Sequence, residues 1–294
     1  MRNRNSRQPE QPLRKHRPVR WLKYAILIVY SLFCLIPFAW MVSASLKPAG
    51  EVLKIPIEWI PSHVQWGNFP QALFDPRFAG YSLWDFGVNS IGVAVITAAL
   101  TIGLSAFVGY GFAKFRFRGR DLTMWGMLST TLLPFSSVVI PLVLITRALG
   151  MKDTLWSLII PFALTGQSIF LARQFILGIP TEYIDAARVD GAGELQIFAR
   201  LILPLMGPAV ATLGITAFVA SWTQFLWPLV ALSSQGNFTV PLGLSLMGLG
   251  STFLVDYHLW MAAATLSVLP PLIFFLILER PYMRGLEALS GLKG

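Results

Sequence analysis

Charge is scarce in this chain. Only 13% of its 294 residues are Asp, Glu, Lys or Arg, against 55% hydrophobic ones, and the mean hydropathy is +0.62. Soluble domains carry about 25% charged residues, so an ordinary soluble fold is excluded. Cysteine is nearly absent: Cys34 stands alone, which rules out a disulfide within the chain. His16, His63 and His258 are scattered, and no pair has metal-ligand spacing. The zinc-protease H-E-x-x-H, the nucleophile elbow G-x-S-x-G and the phosphate-cradling G-x-x-x-x-G-K-[ST] are all missing. The chain has no visible means of hydrolysing a nucleotide and reads as a non-enzyme.

What fills the space is uncharged sequence. No charge falls between Lys23 and Lys47, Asp85 and Lys114, Asp121 and Arg147, Asp153 and Arg173, Arg200 and Asp256, or Asp256 and Glu279. Each run holds roughly the 20 residues that an α-helix needs to cross ~30 Å of hydrocarbon. The runs predict six spans, near 22–45, 86–112, 122–146, 154–177, 205–231 and 257–279. The turn signal Ser233-Ser234-Gln235-Gly236-Asn237, followed by Pro241, Gly243, Gly248 and Gly250, makes the end of the fifth run a loose outer loop over 233–256.

Basic residues orient these spans. Arg2, Arg4, Arg7, Arg14, Lys15, Arg17, Arg20 and Lys23 precede the first; Lys114, Arg116, Arg118 and Arg120 follow the second. Arg173, Arg188 and Arg200 follow the fourth, and Arg280, Arg284 and Lys293 the sixth. Only Lys47, Lys54, Arg77, Arg147 and Lys152 fall on the other side. The positive-inside rule then places both termini in the cytoplasm, the parity that an even number of spans demands. The net charge of +9 is accounted for by this topology signal and by contact with anionic membrane lipid, not by nucleic acid. Residues 1–21 read as a basic cytoplasmic tail, 22–284 as the membrane domain and 285–294 as a second cytoplasmic tail. The first apolar run exceeds a signal peptide's 7–15-residue core and reads as an uncleaved helix.

One polar segment interrupts the apolar runs on the cytoplasmic side: PTEYIDAARVDGAGELQIFARLILP, from Pro180 to Pro204. Thr181 is placed to cap a short helix, with Glu182 and Asp185 in its first turn, where carboxylates suit the helix dipole. Ala186 and Ala187 keep that helix thin, and Gly191 permits a left-handed turn. A second helix near 194–203 places Leu195, Phe198, Leu201 and Ile202 on one face, and Pro204 opens the next span. From these residues alone the segment is as much an interfacial connector as a docking device.

The pattern D-A-A-x-x-x-G, nine residues, then L-x-L-P resembles the "EAA" loop of ABC importer permeases, E-A-A-x-x-x-G-x(9)-I-x-L-P. Asp185, Gly191, Leu201, Leu203 and Pro204 match it position for position. Ser45-Leu46-Lys47-Pro48, Asn68-Phe69, Asn89-Ser90, Gly109 through Phe115, Pro134, Ile140-Pro141-Leu142, Trp222 through Pro228 and the final Leu-Lys-Gly are similar to further landmarks of that family. The nearest group is the smaller, MalG-type permease of carbohydrate importers.

The resemblance implies an all-α membrane protein, six transmembrane helices around the type I importer (MetI-like) permease core, in a bacterial or archaeal cytoplasmic membrane. It implies uptake of a sugar or oligosaccharide, or alternatively of a polyol, a glycerol phosphodiester or a uronic-acid oligomer. The implied partners are a second permease in a heterodimer, two ATPase subunits that bind ATP and magnesium, and an extracytoplasmic solute-binding protein; this chain itself binds no cofactor. Glu182, Asp185, Ala186, Ala187, Gly191, Leu203 and Pro204 are the implied ATPase-coupling residues. Asp185 stands where the family has Glu, one methylene shorter, so Glu182 or Asp190 is an alternative anchor. Polar groups inside spans tend to face the protein interior, which makes Asn89, Gln167, Thr223 and Gln224 the candidates for the substrate pathway, with Trp222 and Trp227 as stacking faces.

Overall fold

The computed structural model describes residues 17–76, 80–249 and 256–291. Arg77, residues 1–16 of the basic tail, 250–255 of the outer loop and 292–294 lie outside the described residues. Helix α1 (Arg17–Ser45) follows the first apolar run, and a short α2 (Asn68–Phe74) comes after an irregular stretch. Helix α3 (Leu83–Lys114) is 32 residues long, about 48 Å at 1.5 Å per residue. Its start is fixed by Asp85, whose carboxylate accepts from the Ser82 backbone N–H and hydroxyl, both at 2.8 Å.

The third, fourth and fifth apolar runs do not fold as single helices. Helix α4 (Arg120–Ser129) passes through a tight turn to Leu132, and Pro134 then starts α5 (Phe135–Ala148) at 105°. Helix α6 (Trp156–Ile159) and the turn to Phe162 meet α7 (Gly166–Leu177) at 48°. The polar segment forms α8 (Thr181–Val189), α9 (Glu194–Ile197), a π-turn over Phe198–Ile202 and α10 (Leu203–Leu205). The chain then bends by 79° into α11 (Gly207–Trp222). The expected fifth span therefore ends at Trp222, and α12 (Leu226–Ala231) is a separate helix. After it come α13 (Val240–Leu249) and α14 (Tyr257–Gly291). Among the described residues three helices are long and apolar enough to cross a membrane alone, and the number is six if each of the three bent pairs is one span. An apolar run reports only that a segment is dry. Pro134, the Thr165–Gly166 junction and Gly207-Pro208 decide where it breaks.

One more expectation is corrected, and one helix runs past its apolar run. Over its described residues up to 249 the outer loop is not loose: Asp153 accepts from the backbone N–H groups of Ser233 and Ser234 at 2.8 and 2.9 Å and from the Ser234 hydroxyl. Asn237 donates to the Asp153 carbonyl at 2.7 Å, and the Ser90 hydroxyl receives the Val240 N–H at 2.8 Å. At the other end of the chain, α14 continues to Gly291, so most of the expected tail is helix.

Helix α3 sits at the centre, packed against α7 and α11, with α14 behind α11 and α1 leaning on α14 from outside. One core, around Phe86, Val93, Phe218, Trp222, Trp227 and Leu259, lies toward the start of α3. A second, around Ala106, Tyr110, Ala172, Ile176, Ile184 and Met206, lies at its basic end. Gly109 permits the α3–α7 crossing: a Cβ there would stand 2.8 Å from the Ala172 Cβ. On the opposite face the dispersed landmarks close one knot. The Asn68 amide donates to the carbonyls of Ser45 and Lys47, both at 2.9 Å. Lys47, fully buried, donates to the Glu58 carbonyl and lies 4.4 Å over the Trp40 ring.

Candidate functional site

Two places offer polar groups that could meet a partner or a ligand: the segment from Pro180 to Pro204 and a cavity between α3, α7 and α11.

In the segment, Pro180 with its extended backbone is the residue before the helix, and Thr181 is the first helical residue. Thr181 therefore does not cap α8; the fixed φ of proline turns the chain in without a side-chain acceptor. Ile184 is wholly buried beneath α3 and α7 and pins the helix to the bundle, with Ala187 half-buried beside it. Glu182, Asp185 and Ala186 face outward with Tyr183 and Val189. Gly191 adopts φ +82°, as expected. Its N–H donates to the Arg188 carbonyl and that of Ala192 to the Ala187 carbonyl, each at 3.0 Å, the Schellman ending that requires a left-handed residue.

The second helix differs from the expected face. Leu195 points outward, while Ile197 and Ile202 are buried. These two are five residues apart, and the π-turn between them brings them to the same side. Pro204 has no N–H to return to the Arg200 carbonyl, which fits the widening just before it. Leu203 and Pro204 precede the bend, which falls at Met206 immediately before Gly207-Pro208.

The segment is bolted to α3. The Tyr110 hydroxyl donates to Glu194 Oε2 at 2.6 Å, and Arg188 reaches Glu194 Oε1 at 2.8 Å while also touching Asp185 Oδ1 at 3.3 Å. The Glu194 carboxylate raises the Arg188 pKa above its usual value. Lys114 donates to the Ile179 carbonyl at 2.7 Å. The Tyr110–Glu194–Arg188 chain was not anticipated from sequence. Its signal was a tyrosine at the end of a span and an acid at a helix start, neither specific alone.

The cavity measures about 210 Å³. Its polar lining includes Thr97 and Thr101 from α3, Gln167 from the start of α7, and Ser221 and Gln224 from the end of α11. Phe162, Leu171, Leu213 and Ala217 supply apolar wall, and among the described residues no Asp, Glu, Lys, Arg or His lines it. Gln167 and Gln224 belong to the expected pathway set; the other expected members lie elsewhere. Asn89 is a strut, donating to the Gly236 and Phe238 carbonyls at 2.7 and 3.1 Å. Trp222 is buried against Phe218, its indole N–H on the Ser267 carbonyl at 3.2 Å. Trp227 is 0% exposed among Phe135 and Phe162, with its N–H on the Ser157 carbonyl at 2.8 Å. Neither ring lines the cavity. The exposed Thr223 returns its hydroxyl to the Val219 carbonyl at 2.8 Å.

Residues 101–280 match the family model described as the binding-protein-dependent transport system inner membrane component. The chain is 33% identical to the arabinooligosaccharides transport system permease protein AraQ of Bacillus subtilis (strain 168), over 93% of this chain and 94% of that one. It is 32% identical to the sn-glycerol-3-phosphate transport system permease protein UgpE of Pectobacterium atrosepticum, over 90% of this chain and 94% of that one. Its fold is similar to a chain of a bacterial ABC transporter involved in the import of the acidic polysaccharide alginate. The TM-score is 0.79 at 22% identity, covering 93% of this chain and 99% of that one.

Proposed function

The chain belongs to the family of binding-protein-dependent transport system inner membrane components, and from that premise we propose that it is the permease subunit of an ATP-driven carbohydrate importer. Its work is transport, not catalysis. Two ATPase subunits bind ATP with magnesium and dock on α8, a second permease completes a heterodimer, and an extracytoplasmic binding protein delivers the solute. Both termini lie in the cytoplasm.

The observation that carries this reading is the two-sided character of α8. One side is fixed to the bundle by Ile184, with Arg188 and Glu194 tying the segment on to Tyr110. The other side offers Asp185, 62% exposed in its side chain, with Ala186, Tyr183 and Val189. A partner that grips the free side moves α3, and with it the walls of the cavity. Asp185 is held by Arg188 in this structure, so docking exchanges that contact for a basic group of the partner. Gly191 fixes the angle between α8 and the helix after it, and Leu203 and Pro204 carry the motion into α11. ATP-driven closure then biases two packings of the same helices.

The substrate pathway runs through the cavity with Gln167 and Gln224 on its wall. A sugar or oligosaccharide is favoured by the arabinooligosaccharide permease among the relatives. Of the alternatives of a polyol, a glycerol phosphodiester or a uronic-acid oligomer, the glycerol phosphodiester alone is near in chemistry to the solute in that second relative's name, sn-glycerol-3-phosphate.

Docking is tested with Asp185→Lys and Gly191→Val in the assembled complex in lipid. We expect the chain to insert at normal levels while ATP hydrolysis loses its stimulation by solute-loaded binding protein. Full stimulation in both variants would remove the docking role.

A further inference from the structure

The cavity holds hydroxyls that the fold leaves idle. Elsewhere in the bundle a helical threonine returns its hydroxyl to a carbonyl one turn back: Thr146 to Leu142, Thr212 to Pro208, Thr216 to Thr212, Thr265 to Met261. Thr97 and Thr101 do not. They are 2% and 4% exposed, and their hydroxyl oxygens have no partner, nor has that of Ser221. Buried polar groups are nearly always satisfied, and exceptions call for a reason. These three share one: all belong to the cavity wall.

Their arrangement follows from helix geometry. Thr97 and Thr101 are four residues apart on α3 and so share a face, and Ser221 and Gln224 face them from α11. Gln167 enters from the start of α7. A threonine in a helix divides between two rotamers, so a χ1 turn exchanges wall for cavity at little cost. The donors and acceptors stand against apolar wall from Leu171, Leu213 and Phe162. A hydroxylated ring has that same character, polar at its edge and apolar on its face.

Charge decides the rest. The cavity is walled mainly by the apolar helices α3, α7 and α11, and among the described residues no Lys, Arg or His lines it. The start of α7 contributes the partial positive charge of a helix end, but the Ser168 N–H there is already taken by the Thr165 hydroxyl at 3.2 Å. That residual field suits the lone pairs of a hydroxyl oxygen, not a full phosphate or carboxylate charge, whose desolvation would go uncompensated.

We propose that Thr97, Thr101, Gln167, Ser221 and Gln224 form a subsite within this chain for one ring of a neutral, polyhydroxylated ligand, and that it discriminates against phosphate- and carboxylate-bearing analogues. This rests on the importer reading and narrows its substrate class. At about 210 Å³, below the ~300–1,000 Å³ of drug-sized pockets, the subsite takes one ring at a time.

The test uses the assembled transporter in phosphatidylethanolamine–phosphatidylglycerol vesicles. The neutral probes are arabinotriose, maltotriose and sorbitol; the anionic probes are sn-glycerol-3-phosphate and an alginate trisaccharide. Wild type is compared with the pair Thr97→Val and Thr101→Val and with the pair Thr97→Ser and Thr101→Ser. We expect uptake of neutral probes only, a KM raised about tenfold or more in the valine pair, and near-wild-type KM in the serine pair. Idle hydroxyls also predict that the valine pair keeps or raises the thermal midpoint of the complex without ligand. A lowered midpoint would mean that the hydroxyls are structural and would overturn the proposal. Sugar uptake at unchanged KM in the valine pair removes the subsite and leaves the importer reading standing. Uptake confined to anionic probes removes the neutral subsite. Uptake of sorbitol but neither oligosaccharide keeps the subsite and overturns the sugar reading.

Discussion

Asp153 has a left-handed backbone, φ 59°, which Asp and Asn adopt more readily than other L-residues. Its carboxylate gathers the Ser234 hydroxyl and the N–H groups of Ser233 and Ser234, and these bonds lower its pKa to about 2. Since the folded value lies below the usual ~3.9, the stabilisation is fully present above about pH 4 and is lost as the pH falls toward 2. Asp153→Asn tolerates the same backbone and removes the charge together with one of the two accepting oxygens. We expect it to lower the thermal midpoint of the purified complex at pH 7, with the gap to wild type narrowing between about pH 4 and 2. A gap that stays constant as the solution is acidified would show that the charge does not hold the loop. Residue-scale chemistry was legible where conformation is local, as for Gly191, whose positive φ followed from its place after a short helix. It was not legible where partners are distant: Asn89 finds its acceptors about 150 positions away, at Gly236 and Phe238.

Among the elements, the α3–α7 crossing depends on a missing side chain. A Cβ at Gly109 would meet the Ala172 Cβ at 2.8 Å and the Arg173 backbone N at 3.0 Å, whereas one at Gly103 on the same helix meets nothing within 4 Å. Gly109→Leu is expected to lose roughly 1–3 kcal/mol by overpacking. Gly103→Ala is expected to gain up to about 1 kcal/mol from helix propensity. Thermal midpoints of the two variants, measured side by side in the complex, check the difference, and equal losses would place the crossing elsewhere. The G-Y-G-F-A-K run thus has two separate jobs that its letters do not distinguish. Gly109 admits α7, and Tyr110 holds the 180–204 segment through Glu194. Likewise the spacing of Leu195, Phe198, Leu201 and Ile202 gave an α-helical face, whereas the π-turn buried Ile197 with Ile202.

For the molecule as a whole, the distribution of charge sets the prediction. Basic loops carry Arg118 on one end of the bundle, and the Ser45–Asn68 knot with Glu51 lies on the other. In a Cys34→Ser background, a membrane-impermeant thiol reagent should label Glu51→Cys in intact cells and Arg118→Cys only after permeabilisation. The reverse pattern would invert the proposed topology and take the docking segment out of the cytoplasm. Helix α1, whose apolar window is 0% buried, is left with its apolar surface for lipid or a partner subunit to cover.

By itself the sequence determined how much of this chain is dry, which end is basic and where a polar segment must sit, because charge and hydropathy are additive along a chain. It also carried the 180–204 pattern, whose spacing is local. Only the tertiary structure decided which apolar and polar residues face one another. Lipid and protein interior are both apolar, so no periodicity separates a lipid-facing side chain from a core one. For that reason Trp222 and Trp227 read as possible sugar platforms and proved to be core. For the same reason Thr97, Thr101 and Ser221, ordinary hydroxyls in apolar runs, emerged as cavity wall only once α3, α7 and α11 were packed together.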